Sequence, residues 1–241
     1  MRFAAPLQSW DAESKFERRG AGRSPTKSGV IGLCAAALGF RRHQDENLAK
    51  LQNLFFGVRI DKPGVLLKDF HMAHEEGFWD PINRSKINRG KSSSTYLTTR
   101  YYLADAVFLV GLEGDEDFLL EIDEALRYPM FPLFLGRRSC PPEGQLCLGI
   151  VTGALQKVLE EYPPIVSNRH FSSAVEKLHI VIDTDCVIGE DNKKARYELR
   201  DIPQSFNPIH RKYNNRSVCE FDVKASRNNE DHDALSVLEE M

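Results

Sequence analysis

Basic side chains crowd the N-terminal part of this sequence, where they could bind an anion. Seven Lys and Arg residues fall between Lys15 and Arg42 against one acid, Glu17, although the chain of 241 residues carries a formal net charge of -3. The block runs through a polar turn, residues 24–28, into an apolar stretch from Gly29 to Phe40 with helical spacing. Positive charge before a helix N-terminus favours anion binding, and the most common large anion in a cell is a nucleic-acid backbone.

The polar turn differs from a phosphate-binding P-loop at two positions. That motif needs a Gly directly before its Lys and a second Gly five residues earlier, where this sequence has Thr26 and Ala21. The sequence therefore excludes a P-loop nucleotide triphosphatase. What remains is a helix start with Ser28 as the predicted N-cap, so that Thr26, Lys27 and Ser28 either border an anion or form a simple solvated cap.

Two further basic segments have residue types that suit nucleic acid. Arg137 and Arg138 stand on a loop bounded by Gly and Pro, where adjacent guanidinium groups can fork onto phosphate or base edges. Arg100 and Tyr101 could bond phosphates and stack on the bases of a single strand, whereas Tyr102 is predicted to pack in the core. Taken alone, each segment is also compatible with an ordinary solvated loop or strand start.

The histidines offer a weaker case for catalysis. His71 and His74 lie three residues apart, and RNA cleavage by 2′-hydroxyl attack needs a base, an acid and a cation near the phosphate. Such groups occur here, for example Tyr101 and Lys91, but no spacing joins them, so structural or solvated histidines are favoured. Five cysteines without paired spacing indicate reduced thiols in a cytosolic protein rather than a zinc site.

Helices and strands alternate in an order that predicts an α+β fold. The expected helices are 29–40, 46–54, 118–126 and 154–162, and the expected strands are 1–5, 55–61, 65–70, 104–112, 145–153 and 179–183. The order strand, helix, strand, strand, helix, strand fits a ferredoxin-like (RRM-like) sheet, with one strand in excess. Residues 71–99 have no sustained apolar period and are predicted to form a long, functional loop. No apolar run approaches the roughly 18 residues needed to span a bilayer, and no signal peptide is expected.

Four segments in this order resemble the signature blocks of the CasD family, the RAMP-type subunits of type I-E CRISPR Cascade complexes. They are Ala5-Pro6-Leu7-Gln8-Ser9-Trp10, Pro25-Thr26-Lys27-Ser28-Gly29-Val30-Ile31-Gly32, Arg100-Tyr101-Tyr102-Leu103-Ala104-Asp105-Ala106 and Leu135-Gly136-Arg137-Arg138-Ser139-Cys140-Pro141. The resemblance covers about residues 4–155 well and the remainder loosely.

The resemblance implies a division of the chain. Residues 1–155 are expected to form a ferredoxin-like RAMP palm, with residues 71–100 inserted as a thumb. Residues 156–225 are expected to form a small, irregular, β-rich C-terminal part, and residues 226–241 an acidic tail. The poorly patterned segment described above falls where the thumb should lie.

The resemblance also implies a role. Members of this family grip the 5′ handle of the CRISPR RNA (crRNA) and cap the backbone of Cascade, beside the backbone subunits and the large subunit. Target DNA is then contacted indirectly, because guide pairing reads its sequence. We expect a cytoplasmic, non-catalytic subunit with no cofactor and no membrane contact. The alternative is a metal-independent pre-crRNA endoribonuclease, as the homologous subunit is in type I-C systems, with His71 or a tyrosine as its base.

Carried onto this sequence, the resemblance and the basic segments give one set of candidate RNA-binding residues. The basic block and helix start would meet the RNA backbone, the first signature block would contact bases, and the loop with two arginines would close around the handle. No catalytic residue and no metal ligand is predicted. The set comprises Gln8, Ser9, Trp10, Arg18, Arg19, Arg23, Thr26, Lys27, Ser28, Arg100, Tyr101, Phe134, Arg137, Arg138 and Ser139.

Overall fold

Twelve strands and four α-helices occur among the residues that this computed structural model describes, which are 1–10, 18–19, 22–74, 78–80, 85–87, 95–166, 177–189, 195–207 and 211–224. The helices are α1 (Lys27–Ala37), α2 (Asp45–Gln52), α3 (Glu116–Arg127) and α4 (Leu155–Glu161). The strands are β1 (Arg2–Ala4), β2 (Leu7–Gln8), β3 (Arg18–Arg19), β4 (Phe55–Lys62), β5 (Val65–His74), β6 (Phe78–Asp80), β7 (Ser85–Ile87), β8 (Thr95–Ala104), β9 (Val107–Glu113), β10 (Lys177–Asp183), β11 (Ala195–Ser205) and β12 (Lys212–Lys224).

Strand β4 lies inside a six-stranded antiparallel sheet with the order β1-β9-β4-β10-β12-β11. Val58 of β4 pairs with Val110 of β9 on one side and with Val181 of β10 on the other. Val58 is buried in the main core with residues of α1 and α3, whereas a side chain on the adjacent Gly57 would meet Leu159 of α4. Because successive residues of a strand face opposite sides, helices cover both faces of this sheet.

Strand β8 is the centre of a second sheet. Strand β5 pairs antiparallel with it from Val65, opposite Ala104, to His74, opposite Thr95. This fills one edge of β8, so β2 and β3 share the other edge. There Gln8 lies opposite Leu103 in an antiparallel pair, and β3 runs parallel. Strands β6 and β7 form a separate two-stranded ribbon.

Two local predictions about the first helix and the long loop are wrong. Helix α1 is capped by Thr26, not Ser28, because the Thr26 hydroxyl accepts a hydrogen bond from the Gly29 amide. The segment 71–99 is not a loop throughout, since β5 extends to His74, β8 begins at Thr95, and β6 and β7 lie between them. Thr and Tyr residues supply the strand propensity here, and long-range pairing rather than an apolar period fixes the strands.

The strand predicted at 145–153 is also wrong, because no strand occurs there. Gly149 and Gly153 have φ values of 95° and 141°, which interrupt an extended strand. The preceding segment nevertheless lies along the free edge of β1. The Arg2 amide donates to the Leu146 carbonyl at 2.7 Å, and the Glu143 amide donates to the Ala4 carbonyl at 2.7 Å.

The C-terminal third is more regular than the single strand predicted at 179–183. It contributes β10, β11 and β12, and β10 pairs directly with β4. The hydrogen-bonded sheet thus crosses the expected boundary after residue 155, and that division of the chain stays a prediction. The predicted acidic tail, 226–241, lies outside the described residues. In the described part, no helix has the length and apolar composition needed to cross a membrane.

Candidate nucleic-acid interface

The first signature block is a buried clasp rather than an open contact surface. The Gln8 side-chain amide donates to the carbonyls of Ala106, at 2.8 Å, and Phe3, at 3.3 Å. Its carbonyl oxygen accepts the indole N–H of Trp10 at 3.0 Å, and Trp10 stacks on Phe3 with ring centres 5.5 Å apart. Gln8, Ser9 and Trp10 are all buried. Their side chains hold β1, β2 and the turn before β9 together, which leaves little of them for a ligand.

The same block positions both sides of the predicted interface. A Cβ on Gly29 would lie 2.9 Å from the Trp10 ring, so the start of α1 packs directly on the indole. One residue earlier, the Ser9 amide donates to the Leu135 carbonyl at 3.2 Å. The start of α1 and the loop with two arginines are therefore anchored by consecutive residues.

The start of α1 already holds an anion from within the protein. The Lys27 amide donates a hydrogen bond to the Asp201 carboxylate at 2.9 Å, and the Thr26 hydroxyl accepts a hydrogen bond from the Gly29 amide. Amides at a helix N-terminus favour a negative charge. Asp201 supplies it at this helix, and Ser28 is held beside Thr26 through a hydroxyl contact of 3.3 Å.

Lys27 belongs to a buried network of two cations and two carboxylates. Its Nζ lies 3.1 Å from Asp183, and Arg216 donates to Asp183 and to Asp201 at 2.6 Å each. Burial disfavours the Arg216 cation, but the hydrogen bond and charge of Asp201, together with Asp183, raise the pKa of Arg216 above its ordinary value. Only 5% of Lys27 is exposed, whereas Arg23 in the preceding turn is exposed.

Strand β8 gathers several of the remaining candidates. In the parallel pair, Arg18 lies in register with Thr99, and Arg19 with Arg100. On the other edge, Asp69 of β5 lies opposite Arg100, and its carboxylate contacts His71. Arg100 and Tyr101 are half-buried. Strand β8 thus pairs with a strand that contains two arginines on one edge and with a strand that contains Asp69 on the other.

The loop with two arginines is rigidly closed and pinned. The Leu135 amide donates to the Cys140 carbonyl at 2.7 Å, and both residues are buried. Gly136 has a φ of 89°, and a Cβ there would lie 1.8 Å from the Ser9 carbonyl oxygen. Only glycine accommodates this close backbone approach, which fixes the backbone position from which the side chains of Arg137 and Arg138 extend.

Arg137 points inward from the loop to Tyr102. Its guanidinium carbon lies 4.8 Å from the centre of the Tyr102 ring. Burial acts to raise the pKa of Tyr102, but hydrogen bonds from Arg137, Ser139 and Arg100 outweigh it and lower that pKa below its ordinary value. Three predicted residues, Arg100, Arg137 and Ser139, are therefore brought together at one phenol.

The contacts of Tyr102 were missed by the sequence analysis, which assigned it only to the core. Its burial agrees with that prediction, but Arg137 lies over its ring, and hydrogen bonding by Arg137, Ser139 and Arg100 lowers the pKa of its phenol. The two-residue spacing from Arg100 on a strand was the available signal, because alternate residues share a face. Beside this cluster, Arg138 is exposed and Phe134 is half-buried.

The arrangement can bind phosphate and bases. Arginine forks bond phosphate oxygens, and aromatic rings stack on bases. Among the described residues, no group of three or more His, Cys, Asp or Glu side chains is placed to hold a metal ion. Arg18 and Arg19 lie in register with β8. The candidates with exposed or half-buried side chains are Arg23, Ser28, Arg100, Tyr101, Phe134, Arg137, Arg138 and Ser139.

Comparisons with known proteins agree with the signature blocks. The family model for CRISPR-associated protein Cas5 matches residues 1–219. The CRISPR system Cascade subunit CasD of Escherichia coli (strain K12) is 33% identical over 189 residues, which covers 75% of this chain and 83% of that protein.

Two solved structures match the whole fold. A crystal structure of a Cas protein superposes with a TM-score of 0.67 at 33% identity, over 92% of this chain and 93% of that one. A chain of a CRISPR RNA-guided surveillance complex superposes with a TM-score of 0.70 at 29% identity, over 100% of this chain and 98% of that one. The predicted resemblance is confirmed, and the chain belongs to the Cas5 family of CRISPR-associated proteins.

Proposed function

We propose that this chain is a non-catalytic subunit of a type I-E CRISPR Cascade complex that binds the 5′ handle of the crRNA and caps the complex backbone in the cytoplasm. A relative at 33% identity is a Cascade subunit, and one similar structure is part of an RNA-guided complex. In this role the chain uses no cofactor and reaches target DNA only through the guide.

The observation that carries the proposal is the meeting of cations at Tyr102. The Arg137 guanidinium carbon lies 4.8 Å from the centre of the Tyr102 ring, and Arg100 extends from the same face of β8 as Tyr102. Arg138 lies exposed on the same pinned loop. Cations held close together despite their mutual repulsion favour a bound anion. The backbone of an RNA strand supplies phosphates that such cations can bind.

Aromatic side chains beside these cations suit the bases of the handle. Tyr101 follows Arg100 on β8, and Phe134 precedes the loop with two arginines. Both are half-buried, so part of each side chain is accessible to a ligand. Stacking of this kind tolerates any base, whereas hydrogen bonds from Ser139 and Arg138 give some choice among bases.

The proposed frame is a ferredoxin-like palm. The segment 143–146, β1, β9 and β4 lie in the order of the fourth, first, third and second strands of such a sheet, with α1 and α3 in its two crossovers. Strands β5 to β8 interrupt the connection between β4 and β9, where the thumb is expected.

The thumb strands also support the proposed protein partners. Phe70, Met72 and Leu97 are 60%, 70% and 54% exposed on β5 and β8, and Met72 lies opposite Leu97. Exposed apolar side chains grouped on one surface indicate a protein interface. In the proposed assembly, a backbone subunit covers this surface and the large subunit lies beside the palm.

Titration of the purified chain with crRNA tests the proposal. Two RNAs are compared in EDTA, one with the 5′ handle and one from which the handle has been removed. We expect tighter binding of the handle-bearing RNA, and both RNAs should remain intact over hours. Equal affinities would contradict handle recognition.

The same incubation decides the catalytic alternative. Discrete cleavage of repeat RNA at one position in EDTA, lost in His71→Ala, would identify a metal-independent endoribonuclease. His71 contacts Asp69 on β5, so the substitution removes a candidate base without disturbing the buried clasp. We expect no such cleavage.

A further inference from the structure

Tyr102 lies between the cations of the candidate interface without being exposed itself. It is 4% exposed, and its ring is part of the main core. Arg100, two residues earlier on β8, extends from the same face of the strand. Arg137 reaches the ring from the pinned loop, with its guanidinium carbon 4.8 Å from the ring centre. One buried phenol therefore contacts side chains from two separate segments.

This contact offsets the electrostatic repulsion between Arg100 and Arg137. Two guanidinium groups repel each other when no anion is bound, and long Arg side chains lose conformational freedom when they are held. Arg137 lies over the Tyr102 ring, and hydrogen bonding by Arg137, Ser139 and Arg100 lowers the pKa of the phenol, which indicates that all three stabilise negative charge on its oxygen. The hydrogen bond between the Leu135 amide and the Cys140 carbonyl closes the loop that carries Arg137. The phenol and this closed loop together set the direction of the Arg137 guanidinium.

Arg100 also has an unsatisfied hydrogen-bond donor. Its Nε is buried and has no hydrogen-bond partner within the described part of the chain. The nearest acid in register, Asp69, has its carboxylate against His71. Buried donors are normally satisfied, so a polar atom is expected to approach Arg100 in the functional state. A phosphate oxygen has the required charge and size.

We propose that Tyr102 is a positioning residue that holds Arg100 and Arg137 in place to bind one RNA phosphate together. The inference rests on the proposed RNA-binding function and adds to it a residue that need not touch the RNA. The Tyr102 ring anchors the site in the core, and its hydroxyl fixes the two cations. Because Arg100 and Arg137 are already ordered before the RNA binds, phosphate binding does not incur the entropy loss of ordering these two side chains.

A double-mutant cycle on RNA affinity tests this role. The full chain is titrated with handle-bearing crRNA as wild type, Tyr102→Phe, Arg137→Ala and the double variant, and each thermal midpoint is recorded. Tyr102→Phe keeps the ring and removes only the hydroxyl. We expect each single variant to bind about tenfold more weakly, and Arg137→Ala to cost less than about threefold in the Tyr102→Phe background.

Two further variants separate positioning from general stability. Tyr197→Phe removes a phenol hydroxyl bonded to Glu220 in the other sheet and should leave RNA affinity unchanged. Arg137→Lys keeps the charge but loses the fork that bonds the phenol and phosphate together, and about a fivefold loss is expected even if Tyr102→Phe fails to fold.

The outcomes distinguish this inference from the proposed function. Wild-type affinity in Tyr102→Phe, or additive effects in the cycle, overturns the positioning role while the RNA-binding function stands. Wild-type affinity in Arg137→Lys overturns it as well. Failure of the wild-type chain to bind the RNA overturns both.

Discussion

The backbone amide of Lys27 donates a hydrogen bond to the carboxylate of Asp201, with 2.9 Å between nitrogen and oxygen. Asp201 lies on β11, so the first turn of α1 is fixed by a strand far along the chain. The same carboxylate accepts two hydrogen bonds from Arg216, at 2.6 and 3.0 Å. A carboxylate of the protein itself thus lies at this helix start.

Asp201→Asn should destabilise the chain strongly. The substitution removes one of the two carboxylates that compensate the buried Arg216 and Lys27 charges. We expect the free energy of unfolding to fall by about 3–5 kcal/mol in urea denaturation. Asp222→Asn is the matched control, because Asp222 is an exposed partner of His179 and its loss should cost less than about 1 kcal/mol. Equal losses for the two variants would contradict this account of the network.

Lys27→Met separates stability from RNA binding. Its ammonium pairs with Asp183 inside the protein and is not presented to a ligand. We expect a loss of about 3 kcal/mol in unfolding free energy, because Asp183 loses a partner, and an RNA affinity within about twofold of the wild type. Arg138→Ala, at an exposed position, should instead weaken RNA binding and leave the unfolding free energy nearly unchanged. Weaker RNA binding by Lys27→Met at unchanged stability would instead support the sequence-based prediction of a direct contact.

Gly136→Ala should displace the loop that carries both arginines. The new methyl group would lie 1.8 Å from the Ser9 carbonyl oxygen, so the loop must move away from β2. RNA affinity should fall at least as far as in Arg137→Ala, since both arginines shift together. Gly149→Ala is the control. Gly149 also has a positive φ, 95°, but nothing lies within 4 Å of the added atom, so it costs only about 1 kcal/mol of stability and no RNA affinity.

Alkaline pH should destabilise the chain through Cys34. Burial raises the pKa of its thiol to about 12, above the value of about 8.5 for an unfolded cysteine. The folded state therefore keeps a proton that the unfolded state releases, and this contribution is complete below about pH 8.5 and is lost as pH rises towards 12. Between pH 9 and 11, unfolding free energy should fall more steeply for the wild type than for Cys34→Ala, by up to about 1.4 kcal/mol per pH unit. Parallel pH profiles would contradict the shift.

Local sequence patterns predicted the helices better than the strands. Helix α3 was expected at 118–126 and runs from Glu116 to Arg127, because its apolar residues repeat at helical spacing and Asp115 caps it. By contrast, β8 pairs with β2, β3 and β5, and these contacts lie far apart in sequence. No apolar period marks such a strand, so its central place in the second sheet could not be predicted locally.

Burial divides the candidate residues chosen from the sequence into two groups. Arg100 and Arg137 were chosen for their residue types, and the fold brings both to Tyr102. Gln8 and Trp10 were chosen because their block is characteristic of the family, yet they bond to each other in the core. A signature block does not distinguish residues that hold the fold from residues that bind a ligand. For Lys27, that distinction depends on its contacts with Asp201 and Asp183, and no spacing in the sequence reveals where these two residues lie.

The salt dependence of crRNA affinity tests the central claim most directly. Dissociation constants are measured across salt concentrations for the wild type, Arg23→Ala/Arg138→Ala, and the control Arg196→Ala/Arg200→Ala, which removes two exposed charges from β11. If Arg23 and Arg138 bind phosphates, the first variant should bind more weakly, and the magnitude of its slope of log affinity against log salt should fall by about 1.4. The control should match the wild type. Identical affinities and slopes for all three proteins would contradict the proposed RNA-binding surface.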